Sequence, residues 1–228
     1  MAKTRTDYRQ QVSRLIRDGA GVLKPGDIDD LIDRANETYS KTHPRTLVVD
    51  LASDGSGEFA VSALTGFDQE FSGDVAVEYP ISTSGEPNVI DRRYWKFYDK
   101  PGGRVIRMDD APAAAAMVRF TFKAQHVIDE DGSTIPESKF NSFSKLAAAE
   151  GCDDLGQHYT QTVENQMFGD AGPAFYTTKA GEYKKRAKEY RTQANKDLGL
   201  DEKGVQAASV TKNWDAKGTG LTHGKRFR

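Results

Sequence analysis

The side chains that could act as nucleophiles or metal ligands are few and widely spaced in this chain of 228 residues. The only cysteine, Cys152, precedes His158 by six residues. That spacing is about 240° around a helix, so the two side chains leave different faces. One cysteine also rules out an intrachain disulfide and a zinc site built from cysteines. We therefore interpret Cys152 as a residue packed inside a helix rather than as a nucleophile.

Carboxylates occur in three short clusters, which are candidates for acid–base catalysis or metal binding. The cluster Asp129-Glu130-Asp131 lacks the spacing of a calcium-binding loop and its closing glutamate, because position 140 is Phe140. We assign the cluster at 27–30 to a helix N-terminus, and those at 109–110 and 129–131 to turns. The sequence contains no glycine-rich phosphate-binding motif and no G-x-S-x-G motif. It therefore predicts a protein that is not an enzyme, with no metal and no cofactor.

Composition predicts a soluble, intracellular protein with a modest core. Hydrophobic residues make up 37% of the chain, against about 45–50% in a usual count that includes glycine. No apolar run approaches the length of about 18 residues that spans a membrane, and no secretion signal is present. The net charge of −2 is spread unevenly, with −6 over residues 45–133 and +4 over residues 205–228. This asymmetry indicates two surfaces with different partners.

Apolar spacing predicts helices at both ends of the chain. A first helix and a second that follows Pro25 and ends before Pro44 form a helical hairpin. Helices resume after Pro136 with a long helix that we expect to be interrupted near Gly151 or Gly156. The apolar stripe of the first helix consists of Tyr8, Val12, Leu15 and Ile16.

The last predicted helix, about Thr178 to Leu198, has one apolar face and one basic face. Its apolar stripe consists of Tyr183, Ala187, Tyr190, Ala194 and Leu198. Its basic residues are Lys184, Lys185, Lys188 and Arg191. A run of like charges on a helix is usually a solvated surface, so we interpret the basic face in that way rather than as a binding patch.

Between the helical segments the apolar pattern changes to that of strands. Strand-like runs cover 46–51, 58–61, 75–79, 94–98, 104–108 and 117–123. Turns rich in glycine and proline separate them, which predicts an antiparallel sheet or a small sandwich rather than βαβ units. We predict that the run 58–61 returns alongside 46–51 as a hairpin.

These elements predict an α+β fold with about four bundled helices, an inserted antiparallel β module and an extended C-terminal tail. The predicted parts are a helical hairpin (1–44), the β module (45–133), helices completing the bundle (134–203) and a basic tail (204–228). The tail has too little apolar surface to fold alone. Trp214 and Phe227, standing among its basic residues, are typical of a segment that folds on a partner.

The order of elements and several short stretches resemble bacteriophage head–tail connector (adaptor) proteins, the rings docked beneath the portal. The resemblance covers nearly the whole chain and is one of pattern rather than of a single motif. The stretches are Tyr8–Asp18, Ala35–Arg45, Val77–Pro80, Trp95–Tyr98, Val118–Phe122, Ile135–Glu150 and Tyr183–Tyr190.

This resemblance implies a virion structural protein without enzymatic activity, made in the host cytoplasm and located in the neck. It implies a homo-oligomeric ring, usually of twelve copies, between the portal protein and a downstream tail-tube or nozzle protein. Helix residues would meet between copies, and tail residues would dock on the portal. The helix residues are Phe140, Phe143, Tyr183 and Tyr190. The tail residues are Trp214, Lys217, Lys225, Arg226, Phe227 and Arg228.

DNA would pass through the lumen of such a ring without specific binding. We hypothesise that the acidic β module faces the channel, because repeated negative charge keeps DNA from sticking. Three alternatives stay open. The chain is also compatible with a nucleic-acid-binding regulator that uses the basic last helix and tail, with a head-completion or stopper protein, and with a small enzyme whose cleft lies in the β module.

Overall fold

The predicted helical hairpin forms the start of the chain. In the computed structural model, which describes residues 3–83, 86–165 and 172–199, α1 covers Arg5–Ile16 and α2 covers Pro25–Thr42. The hydroxyl of Thr4 accepts the N–H of Asp7, and the carboxylate of Asp7 accepts the N–H of Thr4. This reciprocal cap satisfies two backbone donors and fixes where α1 begins.

Two long helices complete the bundle and pack against each other. They are α3 (Phe140–Asn165) and α4 (Gly172–Leu198). α3 runs through Gly151 and Gly156 without a break, so the interruption that we predicted there is wrong. The reason is close packing, because a Cβ at Gly151 would lie 2.5 Å from Cδ1 of Ile16. Tight contact between α3 and α1 outweighs the loss of about 1 kcal/mol that a mid-helix glycine carries.

The helical core is built mainly from one face of each of the four helices. α1 and α2 contribute Tyr8, Val12, Ile16, Leu31, Ile32, Ala35 and Tyr39. α3 and α4 contribute Phe143, Leu146, Ala147, Ala148, Cys152, Leu155, Tyr159, Ala180, Tyr183, Ala187, Ala194 and Leu198. Many of these residues are alanines, whose small side chains let the helices approach closely. The predicted apolar stripes of the first and last helices are confirmed as buried or half-buried.

The β module is a small sandwich of two antiparallel sheets. Its strands are β1 (Arg45–Ala52), β2 (Glu58–Ala60), β3 (Val75–Glu78), β4 (Val89–Ile90), β5 (Trp95–Lys100), β6 (Gly103–Met108) and β7 (Met117–Ala124). The first sheet has the order β1-β7-β3-β4, and the second has the order β2-β6-β5. The predicted hairpin of β5 and β6 is confirmed, with Trp95 opposite Met108 and Lys100 opposite Gly103.

The prediction that 58–61 returns alongside 46–51 is wrong. β2 pairs with β6 in the second sheet, whereas β1 pairs along its whole length with β7 in the first. The chain changes sheets at Gly57, whose φ of +73° is a conformation that glycine adopts readily. Crossing to the other sheet lets Phe59 meet Phe120 across the sandwich, with ring centroids 5.1 Å apart.

The sandwich has its own hydrophobic core, separate from that of the helices. It contains Phe59, Leu64, Val75, Val77, Trp95, Ile106, Met108, Val118, Phe120 and Phe122. On β7 the alternation of buried Val118, Phe120 and Phe122 with more exposed neighbours is as the sequence predicted. The α+β fold class, with an antiparallel β module inserted between α2 and α3, is therefore confirmed. None of the helices, within the ranges described, has the length and apolar character needed to cross a bilayer.

The two glycines of α3 make a matched test of helix packing. We expect Gly151→Ala to lower the free energy of unfolding by about 1–2 kcal/mol, because the added methyl overpacks fully buried Ile16 and Leu31 by more than helix propensity gains. Gly156→Ala should be neutral or stabilise by up to about 1 kcal/mol, because its Cβ would approach the movable side chain of Lys184 at 3.0 Å and lie in ordinary contact with the carbonyl oxygen of Ala180 at 3.5 Å. Urea unfolding of both variants measures the difference. Equal stabilities would contradict the close approach at Gly151.

Candidate functional site

Cys152 occupies the interior of the helical bundle. Its side chain is fully buried on α3, and this burial raises the pKa of the thiol to about 11. The thiol therefore stays protonated and unreactive at neutral pH. His158 is exposed and packs its ring edge-on against Tyr159, with centroids 5.4 Å apart. The interpretation of Cys152 as a packed helix residue is confirmed.

The carboxylates near the start of α2 and after β7 hold α1 in place. Asp29 accepts hydrogen bonds from Nε of Arg5 at 2.9 Å and from Nε of Arg9 at 2.7 Å. Arg9 also donates to Glu130 at 2.6 Å. Burial favours the neutral form of Asp29, but the two guanidinium groups outweigh it and lower the pKa of that carboxyl. Sequence reasoning missed this network, although Arg5 and Arg9 lie four residues apart on one helical face.

An acidic cleft of about 760 Å³ lies between α2 and the segment before β3. Its carboxylates are Asp30, Asp33, Glu37, Asp68 and Glu70. Asp33 is engaged by Arg5 at 2.8 Å, and Glu37 by Lys41 at 2.5 Å. Among the described residues that line this cleft there is no cysteine, histidine, serine or threonine. It therefore offers negative charge rather than a nucleophile and its base.

A polar junction with a buried centre joins the sandwich to the bundle. We define it as Asn36, Ser40, His43, His126 and Thr134, which come from α2, its exit, and the segment after β7. The hydroxyl of Ser40 accepts the N–H of His126 at 3.0 Å, and the amide of Asn36 donates to the carbonyl of His126 at 2.7 Å. Asn36, Ser40 and His126 are buried, His43 is half-buried and Thr134 is exposed, so a hydrogen bond lost among the first three would leave a buried polar group unsatisfied. The junction therefore fixes how the returning chain meets α2.

The imidazole of His126 is held on both of its nitrogens. Nε2 lies 2.8 Å from the carbonyl oxygen of His43, and Nδ1 lies 3.0 Å from the hydroxyl of Thr134. A carbonyl only accepts, so Nε2 carries the hydrogen and Nδ1 accepts from the hydroxyl. Burial is the main reason that the pKa of His126 is lowered from 6.5. His126 is therefore neutral at pH 7 and acts as a structural link.

The end of α4 is tied to the same junction. Nε2 of His43 lies 2.8 Å from the carbonyl oxygen of Leu198, one of the last carbonyls of that helix. The ring of Tyr39 packs near both histidines, with its centroid 5.2 Å from His43 and 5.3 Å from His126. The last described residues of α4 therefore lie beside the point where the sandwich joins the bundle.

The four residues predicted to meet neighbouring copies contribute to the packing within this chain. Phe143 is fully buried and meets Tyr8 edge-on, and Phe140 packs on the same ring. The hydroxyls of Tyr183 and Tyr190 donate to backbone carbonyls near the end of α1. Phe143 therefore presents no surface to another copy in this conformation. Contacts of the other three between copies stay a prediction.

The basic face of α4 is only partly free. Arg191 pairs with Glu150 at 3.1 Å and with Asp153 at 2.5 Å on α3, whereas Lys184, Lys185 and Lys188 are exposed. The predicted portal-binding residues all lie outside the described residues: Trp214, Lys217, Lys225, Arg226, Phe227 and Arg228. In the part of the chain that is described, no three histidine, cysteine or carboxylate side chains are placed to hold a metal ion.

No protein-family model and no curated protein matches this chain. Functional inference therefore depends on the arrangement of its own residues. That arrangement uses the candidate catalytic groups structurally: Cys152 in the core, Asp29 and Glu130 in ion pairs, and His126 in the junction.

The junction predicts a pH dependence of stability. Because the pKa of folded His126 lies below 6.5, the unfolded chain takes up this proton first as the pH falls. Above pH 6.5 neutral His126 makes its full contribution to the free energy of unfolding. This contribution is lost as the pH falls through the folded pKa, and the free energy of unfolding then decreases by up to about 1.4 kcal/mol per pH unit. We expect His126→Gln to reduce this slope in urea unfolding at pH 7.5, 6.5 and 5.5.

His158→Gln is the matched control, because it removes an exposed histidine from α3 and leaves the junction intact. The free energy of unfolding of this variant should still decrease with falling pH, because His126 is present in it. An unchanged slope in His126→Gln would show that the junction histidine does not carry the effect.

Proposed function

We propose that this chain is a non-enzymatic subunit of an adaptor ring that joins a bacteriophage portal to the tail. The observation that supports the proposal is the architecture, in which two N-terminal and two C-terminal helices share one core while a β-sandwich is inserted between α2 and α3. Connector proteins, which the sequence resembles over nearly its whole length, are expected to have this order of elements. The ring of usually twelve copies would sit in the virion neck.

The tail carries the proposed contact with the portal. Residues 205–228 have a net charge of +4 and contain the aromatic residues Trp214 and Phe227. Aromatic and arginine side chains are the usual anchors of protein interfaces. In the sequence the tail comes after α4, and the carbonyl oxygen of Leu198 at the end of that helix lies 2.8 Å from Nε2 of His43 at the junction. Repetition of a weak anchor in every copy of a ring multiplies its affinity.

A ring in this position would surround DNA without reading its sequence. The charge of −6 over residues 45–133 supports a surface that repels phosphates. A downstream tail-tube or nozzle protein would bind the opposite side of the ring. A head-completion or stopper protein would differ from an adaptor in its position in the virion rather than in its chemistry. The four helices of this chain favour the adaptor.

Portal binding tests the proposal directly. We expect full-length protein to form a ring on purified portal from the same phage, as measured by native mass spectrometry, and a truncation after Gly204 to fail. Trp214→Ala combined with Phe227→Ala should weaken binding by about tenfold or more, as loss of interface anchors does. Leu221→Ala, an apolar tail residue outside the proposed anchors, is the matched control and should bind normally.

The other outcomes separate the alternatives. If the truncation binds as well as the full-length protein, the tail is not the anchor and the folded modules dock. If no variant binds portal but the isolated protein binds DNA with an affinity that falls steeply with salt, the nucleic-acid-binding regulator replaces the adaptor.

A further inference from the structure

The sandwich has a long strand at one edge of each sheet. β1, with eight residues, is an edge of the first sheet, and β5, with six residues, is an edge of the second. The strands at the opposite edges, β4 and β2, have two and three residues. A long edge presents a row of unpaired N–H and C=O groups, and most proteins cover or interrupt such a row.

Within the described ranges neither long edge is hydrogen-bonded to a further strand, although the segment at Gly66 and Phe67 packs against the side chains of Leu47 on β1 and Phe97 on β5. The backbone groups of β1 and β5 make hydrogen bonds only within the ladders of their own sheets. Neither strand contains a proline, the residue that most directly blocks strand addition. Both also expose large apolar side chains, because Val48 is 57% exposed and Tyr98 is 46% exposed. The lysines of β5, Lys96 and Lys100, oppose pairing with an unmatched strand, so this edge favours a partner that places a carboxylate opposite one of them.

The two faces of each strand are clearly assigned. On β1, Val48 and Asp50 point outward, whereas Val49 and Leu51 pack against the sandwich core while staying half-buried. On β5 the outward side chains are Lys96, Tyr98 and Lys100, and the inward ones are Trp95 and Phe97. Any pairing that continues a sheet must keep outward residues opposite outward residues.

We propose that β1 of one copy of this chain pairs antiparallel with β5 of a second copy, with Val48 opposite Tyr98. This register places Asp50, which also pairs with Arg119 of its own chain at 2.8 Å, opposite Lys96 on the outer face. On the inner face it places Val49 opposite Phe97. Pairs of a β-branched with an aromatic residue, and pairs of opposite charge, are those that stabilise neighbouring strands. The occupant of each edge is therefore another copy of this chain.

The contact joins different edges of the two copies, so it repeats in one direction. Each copy uses β1 for one contact and β5 for the other, and head-to-tail contacts of this kind generate rings when the rotation closes. The inference rests on the proposed function and names the surface that joins its copies. It places the subunit contact in the sandwich, consistent with the use of Phe143 and Tyr183 inside the helical core.

Disulfide trapping in the full-length protein tests the pairing. Directly opposite residues on antiparallel strands have Cα atoms about 4.5–5.5 Å apart, within the range for a disulfide. We expect Val48→Cys combined with Tyr98→Cys to give a ladder of covalent oligomers on oxidation. The native Cys152 is fully buried and gives no background. Thr46→Cys with Tyr98→Cys, one pair out of register, is the matched control and should cross-link about tenfold more slowly or less.

Each result decides the proposal. Dimers from Val48→Cys or Tyr98→Cys alone would overturn it in favour of pairing between identical edges. Faster cross-linking of the Thr46 control would overturn the register. The absence of a ladder, both in free protein and on portal, would overturn the pairing, and portal binding by the same sample would show that the proposed function survives. A ladder without portal binding would support the pairing while removing the adaptor role.

A charge placed at the edge gives an independent readout. We expect Val48→Lys to weaken self-association by about tenfold or more in sedimentation experiments, because the added charge would face Tyr98 and lie diagonally across from Lys96 and Lys100 of the second copy. Met117→Lys is the matched control, since Met117 is 46% exposed but lies on the interior strand β7. Its association should match that of the unmodified protein. An equal effect of both substitutions would attribute the loss to net charge and overturn the edge contact.

Discussion

The buried crossing between bundle and sandwich is the constraint on which the rest of the structure depends. The chain leaves α2 and returns after β7 through a region where polar backbone is removed from water, so each donor and acceptor needs a partner. Ser40 and Asn36 supply those partners to His126, and His126 supplies one to His43. These hydrogen bonds, rather than apolar contact between the two hydrophobic cores, therefore hold the cores in a single arrangement.

Local pattern predicted those elements that bury one face against their own module. The apolar spacing of Tyr8, Val12 and Ile16, and the alternation along β7, are direct consequences of helix and strand geometry. The partner of β2 was not predictable in this way, because it is decided by contact between Phe59 and Phe120, which are far apart in sequence. The predicted interruption of α3 at its glycines was wrong for the same reason. Ile16 and Leu31, rather than helix propensity, determine which residue position 151 can hold.

The charged residues show a similar division. Asp129 lies in a turn, as the sequence predicted, and its carboxylate accepts the N–H groups of Asp131 and Gly132. The network of Arg5, Arg9 and Asp29 required knowledge that α1 lies across the start of α2. The burial of Cys152 could be predicted from its residue type and spacing. The position of Tyr183 could not, because its hydroxyl donates to a backbone carbonyl at the end of α1, and the path of α1 is not visible in the sequence.

The pairing of β1 with β7 along their whole length has a consequence for how such a chain can change during evolution. Arg45 lies opposite Ala124, so the point where the sandwich starts and the point where it ends are neighbouring strand positions, about 4.5–5.5 Å apart between Cα atoms. A short turn spans that gap. The geometry therefore allows the sandwich to be exchanged for such a turn without changing the separation of the two chain ends that enter and leave it.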